Sequence, residues 1–235
     1  MKIVANYKLI NRNKKIGNYT TIGSLVVLGL GLYISFSAQT ADGFSWSLVC
    51  LVAGFILSQV GIFFGNRWGR SPRPDELLTK ELKGLDDKYT LYHYTSPVSH
   101  LLVGPAGIWV LAPYNQTGQI IYDPAKKRWQ QKGGNWYMKM FAQENLGKPD
   151  QEAKATLADL NKHIAKDIQI PALPDPQIAL VFINPKVQVD APNAHIPTLP
   201  VDKLKDFMRR QVKENPMSME PIRQFQQALP QESIE

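Results

Sequence analysis

The sequence predicts an α/β (α+β) protein in which a two-helix transmembrane hairpin precedes one soluble domain, a mixed β-sheet flanked by helices. Three features carry this expectation. No Lys, Arg, Asp or Glu occurs between Lys15 and Asp42, or between Asp42 and Arg67, which leaves uncharged runs of 26 and 24 residues. Farther on, short β-rich runs alternate with stretches whose apolar residues recur every three or four positions. One run, Ile178–Ile183 (IALVFI), has no polar alternation, as expected of a strand covered on both faces.

Residues 1–20 read as a basic N-terminus, with Lys2, Lys8, Arg12, Lys14 and Lys15 and no acid. A bilayer core of about 30 Å needs some 20 apolar residues in a helix, because nothing there but the chain itself can satisfy backbone amides and carbonyls. Residues 21–38 and 44–65 meet that requirement. A cleaved signal peptide fits poorly, since only Gln39–Gly43 separates the two runs. Five basic residues before the hairpin and Arg67, Arg70 and Arg73 after it, against Asp42 in the turn, predict that both termini are cytoplasmic. Gly61 and Gly65 offer a close-approach surface to a second helix, so a homodimer is one expected arrangement. The single cysteine, Cys50, excludes an internal disulfide framework.

After a linker at 66–73 the soluble domain spans 74–235. The chain carries a net charge of +7, with 27 basic and 20 acidic residues, but the part after Asp42 is only about +3. Pro74 can start a helix without losing a hydrogen bond, Asp75 and Glu76 suit its positive end, and Leu78, Leu82 and Leu85 share one stripe. Four strands are expected at Tyr89–Thr95, Ser99–Val103, Ile108–Leu111 and Gln119–Tyr122, the middle two joined as a hairpin through Gly104-Pro-Ala-Gly107. A helix opening on Pro149 and Asp150, the strand at Ile178–Ile183, and helices carrying Leu204, Phe207 and Met208 and then Ile222, Phe225 and Leu229 complete the order.

The succession PDELLTKELKGL, SHLLVGPAGIWVLAPYNQTGQI, Trp129, KPDQEAKATLADLNKHI and IALVFINP resembles the nuclease-related domain (NERD) family. The resemblance runs from about Pro74 to Phe207 and implies a restriction-nuclease-like fold with a PD-(D/E)xK core. Such a core holds a divalent cation between two carboxylates, while a Lys two residues beyond the second helps activate water. The family's helix carboxylate corresponds to Glu76, its Asp to Ser99, its Glu to Ala112 and its Lys to Tyr114. The implied metal site is degenerate, so no cofactor is expected; Mg²⁺ enters only if Asp86, Asp87 or Asp123 has taken over a ligand position. The implied location is the cell membrane, the inner membrane of a bacterium.

Other motifs are few. His93, His100, His163 and His195 lack zinc-site spacing, and there is no P-loop or GxGxxG. The run Lys126, Lys127, Arg128, Trp129 and Lys132, followed by Trp136, Tyr137 and Lys139, mixes cations with aromatic rings and no acid. That composition suits nucleic-acid backbone contact with base stacking, anionic lipid head groups, or a solvated loop whose rings turn inward. The expected function is a membrane-anchored, catalytically inactive nuclease-like module for binding or scaffolding. The alternatives are a membrane-tethered nuclease with a migrated metal site and an accessory subunit of a larger membrane complex.

Overall fold

The computed structural model describes residues 1–134, 145–168 and 170–235; Trp136, with Tyr137 and Lys139, lies outside them. The chain opens on a strand, β1 (Lys2–Ala5), and passes into helix α1 (Tyr7–Ser37). Helix α2 (Ala41–Phe64) starts where the Thr40 hydroxyl accepts from the Gly43 amide at 3.3 Å, and a π-helical turn at Gly65–Gly69 ends it. Then follow α3 (Pro74–Leu82), β2 (Thr90–His93), β3 (His100–Gly104), β4 (Gly107–Tyr114), β5 (Gly118–Asp123) and β6 (Arg128–Lys132). Helix α4 (Pro149–Asp167), β7 (Gln177–Phe182), β8 (Val187–Asp190), β9 (Thr198–Pro200), α5 (Leu204–Glu214) and α6 (Met219–Ala228) complete the described elements.

These elements fall into two compact units: Met1–Tyr7 together with Pro74–Glu235, and Lys8–Arg73. The basic segment 1–20 is therefore divided. Its first residues form an edge strand of the α/β unit, and the rest belongs to a long helix that begins at Tyr7 rather than near residue 21. Nothing in Tyr7–Thr20 interrupts a helix, since Lys, Arg and Leu are good formers and no proline intervenes.

In the α/β unit a mixed six-stranded sheet has the order β1-β2-β3-β4-β7-β9, and a small second sheet has the order β6-β5-β8. The expected Gly104–Gly107 hairpin is present, with Leu101 opposite Val110. β7 lies parallel to β4, Leu111 opposite Ala179, an arrangement that needs a long crossover, which β5, β6 and α4 supply. One face carries Leu101, Val103, Val110 and Leu180 under α4 and α6 (Leu160, Ile222, Phe225); the other carries Leu91, Leu102, Trp109 and Val181 under α3 and α5 (Leu78, Leu82, Leu204, Met208). β1, β2, β4 and β7 all point the same way, so their carboxyl ends share one end of the sheet. At that end the chain leaves Ala5 for α1.

In the second unit two helices of 31 and 24 residues, about 46 and 36 Å long, are long and apolar enough to cross a membrane. They pack through small residues spaced by sevens: Gly17, Ser24 and Gly31 on α1, and Ser47, Gly54 and Gly61 on α2, are all buried. The Ser47 hydroxyl donates to the Gly31 carbonyl across the helix pair at 2.8 Å. A Cβ at Gly61 would stand 2.5 Å from Thr21 Oγ1, so this glycine serves the hairpin's own seam; a Cβ at Gly65 would meet nothing. Large apolar side chains such as Leu25, Tyr33, Phe36, Trp46, Leu48 and Phe55 point outward.

Candidate functional site

Ala112 and Tyr114 lie two residues apart on β4 and so face the same side of the sheet, packing into the core beneath α4. Ser99 directly precedes β3, and the register that sets Leu101 against Val110 continues toward Ala112. Three of the four positions singled out by the resemblance thus share a neighbourhood at the carboxyl end of β4. Glu76 is exposed in the first turn of α3, the helix covering the opposite face.

Tyr114 is only 9% exposed; its ring stacks on Phe182 with centroids 5.4 Å apart, and its hydroxyl donates to Glu152 Oε2 at 2.7 Å. Burial, then the neighbouring Glu152 carboxylate, push the phenol's pKa well above its ordinary value, because an anion there would be desolvated and repelled. The position that would hold a water-activating Lys holds a neutral hydrogen-bond donor. Glu152 was missed in the sequence because its family-independent role depends on α4 starting beside the end of β4. It does not complete the metal site that the resemblance implies: one carboxylate oxygen is committed to Tyr114 and the other accepts from the Lys148 amide at 3.3 Å. Ala112 offers no ligand atom, so these residues do not fit a divalent ion of the kind the resemblance implies.

The acids expected as replacement ligands stand elsewhere. Asp86 and Asp87 precede β2, at the opposite end of the sheet from Ala112. Asp87 meets the N-terminal ammonium at 2.8 Å, and that hydrogen bond and charge hold its carboxyl below the usual range; Asp86 accepts from the Lys88 amide. Asp123 caps the β5–β6 turn, accepting from the Ala125 and Lys126 amides. Among the described residues no three His, Cys, Asp or Glu side chains converge as a ligand set.

The basic run folds as a β-hairpin rather than a loop. Lys126 and Lys127 occupy the turn, with Lys127 at φ +46°, while Arg128, Trp129 and Lys132 belong to β6. Asp123 pairs with Arg128 and Tyr122 with Trp129 across the two strands, which fixes the turn between them. Lys126, Lys127, Arg128 and Lys132 are exposed, but Trp129 is 8% exposed. Its Nε1 donates to Asp150 Oδ1 at 2.7 Å and its ring meets Tyr122 at 4.9 Å. In this position it is not available to stack on a base. His195 closes the network, with Nε2 3.2 Å from Asp150 Oδ1 and Nδ1 3.1 Å from the Tyr122 hydroxyl. The turn and the start of α4 enclose a cleft of about 520 Å³ lined by Lys127, Arg128, Lys148 and Asp150, among others.

The structure also brings together two histidines the sequence leaves seven residues apart. His93 and His100, on paired strands and both buried, approach Nδ1 to Nδ1 at 2.8 Å, and His93 Nε2 lies 3.0 Å from Thr79 Oγ1 on α3. Two ring nitrogens so placed share one proton, one donating and the other accepting, which ties α3 to the sheet at the end where the chain leaves for α1. The signal was the hairpin symmetry: Thr90 opposite Val103 forces His93 opposite His100. His163 pairs with Asp167 at 2.9 Å on the surface of α4.

Compared with family models, with curated proteins and with solved structures, the chain has no match.

Proposed function

We propose that this chain is a membrane-anchored binding module built on a nuclease-like fold that does not cleave. The observation that carries the reading is Tyr114: where the resembled nucleases hold a Lys, a buried phenol has its proton committed to Glu152. Ala112 and Ser99 replace the two strand carboxylates, and one exposed Glu76 is too little charge to keep a divalent ion partly dehydrated.

Anchoring is supported by the two apolar helices and the many large apolar side chains they turn outward, a surface far beyond what a soluble monomer exposes. The basic flanks support a cytoplasmic location for the α/β unit. Pairing of β1, before the hairpin, with β2, after it, supports a common side for the two flanks, because the strands of one sheet cannot lie on opposite sides of a bilayer.

The test is a plasmid-nicking assay with the full chain in detergent, supplied with millimolar Mg²⁺ or Mn²⁺ beside a Glu76→Gln variant. No nicking above the metal-free control is expected from either protein. Metal-dependent nicking by the wild type that disappears in Glu76→Gln would overturn the reading.

A further inference from the structure

The cleft between the β5–β6 turn and the start of α4 holds three cationic side chains, Lys127, Arg128 and Lys148. Among the described residues none of the three has an ion-pair partner. We propose that this cleft binds the phosphate of an anionic phospholipid head group, which makes the bilayer a ligand of the domain as well as its anchor.

The charge balance favours an anion. The lining sets three cations against one acid, Asp150, which accepts from Trp129 and lies beside His195, so the opening of about 520 Å³ carries a net positive charge. Cations brought together without partners repel one another, and a phosphate relieves that repulsion while accepting several charge-assisted hydrogen bonds. Trp129 lines the cleft but is buried and held by Asp150 and Tyr122, so among the described residues no ring face is offered to a base, and the chemistry left is that of phosphate without base recognition.

The tether selects the lipid, because the domain is joined to the apolar hairpin through β1 and through the segment before α3. Glu152, in the first turn of α4, bonds the last residue of β4, so the cleft at Lys148–Gln151 lies toward the carboxyl end of that strand. It is at this end of the sheet that β1 passes into the apolar hairpin. A cluster of cations in a domain tethered to an apolar anchor recognises anionic head groups, each cation contributing about 1 kcal/mol near a charged surface. The inference rests on the anchoring proposed above and is independent of whether the fold cleaves nucleic acid.

The experiment uses the full chain in dodecyl maltoside micelles, with phosphatidylglycerol or phosphatidylcholine added and retained lipid read by native mass spectrometry. Phosphatidylglycerol should be retained over phosphatidylcholine. Its affinity should fall roughly fivefold for each cation removed, about a hundredfold in the triple variant Lys127→Asn, Arg128→Gln, Lys148→Gln. Asn suits the left-handed backbone at position 127. The charge-keeping variant Lys127→Arg, Arg128→Lys, Lys148→Arg should retain the lipid, as should Lys162→Gln with Lys166→Gln at the far end of α4. Unchanged retention in the triple variant overturns the proposal. So does binding of inorganic pyrophosphate without phosphatidylglycerol, which identifies a soluble phosphate, and so does cation-dependent binding of a single-stranded oligonucleotide without lipid preference. A chain that stays soluble without detergent would instead refute the anchoring itself.

Discussion

Removing Lys2–Ala5 from the full chain will destabilise the α/β unit by about 5 kcal/mol, most of the stability such a unit has. Val4 and Ala5 are fully buried, and losing a buried Val alone costs about 1.5–3 kcal/mol. The deletion also strips the ladder along β2, including the Lys2 amide to the Tyr89 carbonyl at 2.8 Å, at about 1 kcal/mol for each lost bond. Val4→Asp should act as severely, by burying an unpaired charge, whereas Ile3→Ala, at a side chain 39% exposed, should act weakly. Thermal denaturation of the full chain in detergent, followed by limited proteolysis, reads the difference. A melting temperature unmoved by Val4→Asp would mean that β1 is not part of the fold. A fragment beginning near residue 70 should share the defect, because it lacks this strand.

Gly61→Leu will open the helical hairpin. A Cβ at this position already meets Thr21 Oγ1 at 2.5 Å and the Thr21 backbone amide at 3.1 Å, so a larger side chain must drive α1 and α2 apart, at 1–3 kcal/mol or more. The smaller Gly61→Ala should be partly relieved by Thr21→Ala, which removes the clashing hydroxyl but not the backbone. Distances between spin labels on α1 and α2 in micelles provide the measurement. An unchanged distance in Gly61→Leu would place the seam elsewhere, and Gly65→Leu, whose Cβ meets nothing, is the matched control.

The elements with strong periodicity were legible in the sequence. Leu78 and Leu82 marked α3, the Gly104–Gly107 turn marked its hairpin, and the uninterrupted IALVFI marked β7, a strand covered on both faces between β4 and β9. β1 was hidden because four residues, KIVA, sit in a run whose charge draws attention to topology rather than pairing. β6 was hidden because Arg128–Lys132 is polar, and a strand at the rim of a small sheet needs only one buried residue, here Trp129. For the candidate site, Ser99, Ala112 and Tyr114 enter only through the family resemblance; the structure adds that they lie near one another at the carboxyl end of β4. Glu152 beneath Tyr114, Lys148 beside Lys127, and His93 against His100 are tertiary pairings, set by where α4 starts and how β2 meets β3, and no local pattern encodes them. Small residues every seven positions on both long helices were visible in the sequence, but their pairing with each other, rather than with a second chain, required the hairpin geometry.

The hairpin is inserted between β1 and α3 of one compact unit, so that whatever lies on either side of it shares a compartment. Single-cysteine accessibility in intact cells tests this most directly, using Cys50→Ser as the background and cysteine placed at Gln39 in the turn, at Lys2 in β1, or at Lys166 in α4. An impermeant maleimide should label Gln39→Cys in intact cells, and Lys2→Cys and Lys166→Cys only after lysis. Labelling of Lys2→Cys and Lys166→Cys on opposite sides of the membrane would contradict the shared sheet, and the reverse pattern at all three positions would contradict the orientation.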